Sequence, residues 1–74
     1  MDYQKFYNEI VQWIQEVNKQ AVQFGLSSNQ FWDWVMQSVG QFEARYNKNE
    51  LVIKQMVMLV EWLIDMEKRS RGGA

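Results

Sequence analysis

The chain contains no proline, and its four glycines stand at Gly25, Gly40, Gly72 and Gly73. Proline and glycine are the residues that most sharply interrupt a helix, so their scarcity favours long helices over strands and tight turns. The apolar spacing agrees. From Tyr3 it runs through Tyr7, Ile10, Ile14, Val17, Ala21 and Phe24 in alternating steps of four and three, which gathers one stripe on one helical face. Lys5, Glu9, Gln12, Glu16, Lys19 and Gln23 fall on the opposite face. This predicts a first amphipathic helix over about residues 2–24.

Gly25 then supplies a left-handed stop, and Leu26 can fold back on the last turn. A restart follows at once. Ser27 with Gln30 three residues later has the form of a capping box, bracketed by Leu26 and Phe31 as a hydrophobic staple. A second helix is expected over 28–46, burying Trp32, Val35, Val39, Phe42 and Tyr46. The same device recurs at the next junction, with Asn47 and Glu50 as cap and partner between Tyr46 and Leu51. Short capped junctions join neighbouring helices that reverse direction. The expected architecture is therefore all-α, a three-helix bundle with helices at about 2–24, 28–46 and 48–69. It forms one domain over 1–69, with residues 70–74 as a flexible tail.

The third helix carries the largest apolar load. Twelve of the sixteen residues from Leu51 to Met66 are apolar, in two adjacent seams. One is Val52, Met56, Leu59, Leu63 and Met66; the other is Ile53, Val57, Val60 and Ile64. A helix apolar over most of its circumference has to be covered on most sides. Either the two seams meet the two other helices, or the second stays partly uncovered and binds a copy of itself or another protein. Composition bears on the choice. Thirty-five of 74 residues are apolar, whereas about three in seven helical positions, roughly 26, face inward in a bundle. The surplus needs somewhere to go.

Residue types exclude several kinds of chemistry. With no Cys and no His, neither a disulfide nor a thiolate–imidazole zinc site can form. Nucleophilic catalysis needs a nucleophile beside a base, and no such pairing is evident; Gly72–Gly73 follows the last helix instead of opening one, unlike a phosphate loop. The carboxylate pairs Glu61/Asp65 and Glu9/Glu16 lie on polar stripes, and di-metal bundles need a Glu-x-x-His partner that is missing here. No enzyme activity, no cofactor and no metal are expected. A formal charge of −1 with mixed signs provides no field for nucleic acid or an anionic membrane. A tri-helical nucleic-acid-binding domain is the alternative reading. Its recognition helix would be the third, which shows Lys54 and Gln55 amid valines, methionines and leucines where base-reading side chains belong. No signal peptide and no bilayer-length apolar run are evident, and the cytoplasm is the expected compartment.

What remains is binding to another protein or to a second copy. Trp34 lies off the Val35–Val39–Phe42 stripe, towards Ser38 and Arg45. It is read either as an edge tryptophan on a neighbouring helix or, with Phe31 and Arg45, as an aromatic–Arg interface patch. Gly40 and Ala44 make a small face that a bulky core neighbour could fill or a partner helix approach. The partner-binding candidates are thus Phe31, Trp34 and Arg45 on the second helix and Ile53, Val57, Val60 and Ile64 on the third.

Overall fold

A computed structural model describes residues 1–72. The described chain is three helices and no strand: α1 (Tyr3–Phe24), α2 (Asn29–Arg45) and α3 (Glu50–Ser70). Helix α2 is central and packs against both of the others, whereas no Cα of α1 comes within 8 Å of one of α3. The expected three-helix bundle forms.

Each helix contributes four buried residues at steps of three and four. They are Phe6, Ile10, Trp13 and Val17 from α1; Phe31, Val35, Val39 and Phe42 from α2; and Val52, Met56, Leu59 and Leu63 from α3. The first seam of α3 is therefore the core seam, with Met66 at its half-buried end. On α1 the face differs from expectation. Tyr3, Tyr7 and Phe24 are exposed, and Phe6 and Trp13 take the inner positions. The apolar arc of this helix is wider than one face, and α2 covers only the Phe6–Trp13 side. Phe6 has no polar atom to satisfy, while the hydroxyls of Tyr3 and Tyr7 favour a watered edge.

The junctions also correct the expected caps. Ser28, not Ser27, opens α2: its Oγ accepts the Phe31 amide at 3.1 Å and donates to the Gly25 carbonyl at 3.1 Å. Residues 25–28 are used up as a turn, with the Ser28 amide also on the Gly25 carbonyl, so the chain becomes helical only from Asn29. Ser27 reaches instead to Glu67 of α3 at 3.4 Å. At the second junction Asn47 closes α2 and does not open α3. Asn47 takes a left-handed φ of 55°. Its amide bonds the Ala44 carbonyl, and the Lys48 amide bonds the Glu43 carbonyl, which together form a Schellman stop. Asn49 then caps α3, its Oδ1 accepting the Leu51 amide at 2.9 Å. The chain start has a cap of its own in Asp2, which accepts the Lys5 amide at 3.0 Å. At the other end α3 continues through Ser70, with Arg71 as its C-cap. Ser70 and Arg71, expected in the tail, thus close α3, and Gly73 and Ala74 lie outside the described residues.

Candidate interaction surface

The two sides of α2 are finished differently. On the α1 side the contact is aromatic and tied by polar atoms. The Trp13 indole N–H donates to Ser38 Oγ at 2.8 Å, and Ser38 in turn donates to the Val35 carbonyl at 3.0 Å. Trp34 stacks on Trp13, with ring centroids 5.8 Å apart and planes 17° from parallel. Tyr46 donates its phenolic O–H to Glu9 at 2.5 Å. Arg45 sits over the Phe42 ring at 4.7 Å and 3.9 Å from the Glu9 carboxylate. The bond to Glu9 holds the Tyr46 phenol above its ordinary pKa of 10.0, with burial and the Glu9 charge adding to it. Between these residues runs an open groove of about 250 Å³, smaller than the roughly 300–1,000 Å³ of sites that enclose a small molecule.

The aromatic–Arg patch expected on α2 is therefore not one surface. Phe31 is fully buried in the core, because it is the third residue of α2 and points the same way as Val35. Trp34 is half-buried as an edge tryptophan against α1, and Arg45 is engaged with Phe42 and Glu9. Trp32, expected on the core stripe, is likewise half-buried, and its indole N–H ties the Leu26 carbonyl at 2.7 Å.

On the α3 side there is no such polar finish. Among the described residues no side-chain hydrogen bond or ion pair crosses from α2 to α3. The second seam of α3 runs along this edge and is only partly covered. Ile53 and Val60 are half-buried, while Val57 is 50% and Ile64 38% exposed. The structure thus brings together all four candidates on α3. It adds one residue that the spacing argument missed, Met36 of α2, which is 58% exposed and lines the same shallow groove as Val57 and Val60. Glu43 and Glu61 stand at the rim of that groove. A weaker signal for Met36 existed: it is apolar and lies about 100° from Val35 on the projection of α2. A second exposed apolar stretch, Tyr3, Tyr7 and Val11, lies on the flank of α1 away from α2.

Gly40 faces open space, with nothing within 4 Å of where a Cβ would stand. No core neighbour fills the gap expected there. Among the described residues no three carboxylates gather closely enough to hold a metal ion, and no helix is long and apolar enough to cross a membrane. The chain matches no protein-family profile, no curated protein and no solved structure.

Proposed function

We propose that this protein is a non-enzymatic protein–protein interaction module that docks through the α2/α3 edge. The observation that carries this reading is the exposed Val57 of α3 lining one groove with Met36 of α2, with Ile64 exposed seven residues further along the same seam. These are aliphatic or thioether side chains in contact with water although the core already has its twelve residues. Covering them removes apolar surface from water at about 25 cal/mol per Å². Methionine adds a contact that adapts its shape to a partner. The α1/α2 groove is a poorer docking site because its polar atoms and aromatic faces already satisfy one another.

The test is site-specific photo-crosslinking in cells expressing the protein. A benzophenone side chain replacing Val57 should give a discrete covalent adduct to a protein, and the same group replacing the exposed Gln23 should not. Equal adduct patterns at both positions, or none at Val57, overturn the reading.

A further inference from the structure

We infer that the occupant of the α3 strip is a second copy of this chain, packed antiparallel about a two-fold axis between Val57 and Val60. The inference rests on the reading of the strip as an interaction face and adds its partner.

The strip Ile53, Val57, Val60 and Ile64 has steps of four, three and four, the spacing of a two-helix seam. On its open flank, one position after each of Ile53, Val60 and Glu67, stand Lys54, Glu61 and Lys68. Their signs alternate at seven-residue intervals. A uniformly basic partner helix would suit an all-acidic flank, and Lys54 and Lys68 spoil that match. A second α3 running the opposite way suits it well. With the axis between Val57 and Val60, Ile53 meets the second copy's Ile64 and Val57 meets its Val60. Lys54 then comes beside the second copy's Glu61, and symmetry repeats the pair, as an isologous contact requires. Sliding by one heptad sets Glu61 against Glu61, or Lys54 against Lys54. A parallel pairing sets the charged flank against Met56 and Leu63, which are buried in the core. Only this arrangement covers the strip and sets Lys54 beside Glu61.

The neighbouring charges allow this. Lys54 is held only by an exposed bond to Glu50, one turn earlier on the same helix, and such pairs are weak. Glu61 is exposed and has no ion-pair partner among the described residues. In the next layer out Glu50 faces the second copy's Glu67, two carboxylates whose charges are offset by Lys54 and Arg71 of their own chains, so the apolar seam ends there. Four apolar residues per copy, with Met36 beside them, make a small interface, so the dimer should form at micromolar concentration.

Sedimentation velocity across the micromolar range reads the result, with far-ultraviolet circular dichroism to verify that each variant is folded. The wild-type chain should dimerise. Lys54→Glu and Glu61→Lys should each weaken the dimer roughly tenfold, because two symmetric attractions become repulsions. Mixed one to one, these two variants should recover near-wild-type association, since both pairs are then complementary again. Val57→Lys should abolish association. A wild-type chain that stays monomeric overturns the inference, and so do single reversals that dimerise normally or a mixture that fails to recover. The crosslink at position 57 separates this failure from that of the broader reading. An adduct to a different protein, from a chain monomeric in solution, removes the second copy and leaves the interaction face standing. No adduct removes both.

Discussion

The α1/α2 and α2/α3 contacts share one helix and one core, yet they are held by different physics. The first is directional. A stacked tryptophan pair, an indole–hydroxyl–carbonyl chain and a tyrosine–carboxylate bond each demand one relative placement of the two helices. The second is apolar burial with no side-chain hydrogen bond or ion pair across it among the described residues, and its outer edge leaves Met36 and Val57 in water beside Glu43 and Glu61. A directional contact specifies geometry and is complete in one chain. A non-directional one supplies burial and tolerates an additional layer. The same molecule thus has one closed edge and one open edge.

The largest test of this contrast compares a closed-side core residue with the open strip. Phe6 is fully buried and touches Phe42 and Tyr46 edge-on, so Phe6→Ala should cost about 3–5 kcal/mol. That approaches the whole stability of a small domain, about 5 kcal/mol at the low end, and thermal melts should show a chain largely unfolded at room temperature. Val57→Ala on the open strip should cost only about 0.5 kcal/mol at concentrations where the chain is monomeric. Similar losses at the two sites would erase the distinction.

Next come the tryptophans. Trp34→Ala should cost about 1.5–3 kcal/mol through lost area and lost stacking on Trp13. Trp32→Ala should cost a similar amount, because it too is half-buried and has one polar partner. Denaturant titrations of both variants check this, and a Trp34→Ala chain as stable as wild type would mean that the stack contributes nothing.

The helix starts follow at about 1 kcal/mol each. Ser28→Ala and Asn49→Ala should each destabilise by about 0.5–2 kcal/mol, as a helix amide loses its acceptor. Ser27→Ala should be near neutral, since its contact with Glu67 is long and exposed. Melts that rank Ser27 above Ser28 would move the start of α2. In the opposite direction, Gly40→Ala should stabilise by about 0.5–1 kcal/mol, because Gly40 is helical with open space beside it. A loss there would mean that a second backbone approaches α2 at that point.

The smallest effect is confined to alkaline pH. Tyr46 holds its proton above the ordinary value of 10.0 when folded. The unfolded phenol therefore ionises first, and the stability that the bond to Glu9 confers, fully present below that value, is lost as pH rises through the folded pKa. Wild-type melting temperature should fall over this range more than that of Tyr46→Phe. Parallel curves for the two proteins would show that the bond has no energetic weight.

Fold class, helix number and the two seams of α3 were legible in the sequence, because each depends on spacing alone. The choice of inner face on α1 was not. Tyr3–Tyr7–Ile14 and Phe6–Trp13 flank Ile10 and Val17 equally well, and only the position of α2 decides between them. The caps failed for a similar reason. Ser27 and Ser28 are equivalent acceptors locally, and the turn back to the Gly25 carbonyl selects the second. Among the surface candidates, the α3 strip followed from periodicity. Trp34 and Arg45 could not be assigned that way, because their fates were set by Trp13 and Glu9 of α1, whereas Phe31, one turn before Val35, belongs to the core stripe of α2 by spacing alone.

The turn between α2 and α3 bears on how two chains could become entangled. Asn47 and Lys48 both hold a φ of 55°, and for a lysine that conformation costs about 1–2 kcal/mol. Between Gly40 and Gly72 the chain has neither glycine nor proline. Should those two residues and the extended Asn49 beside them take right-handed helical dihedrals, local sequence would let α2 run straight into α3 as one continuous rod. The rod would leave Val52, Met56, Leu59 and Leu63 bare, and another chain opened in the same way would cover them by exchanging α3. In that event the turn would serve as a hinge for domain swapping, with the relaxation of Lys48 favouring the opened form. Such an exchanged pair would form and separate slowly, since each event passes through loss of the α2/α3 core.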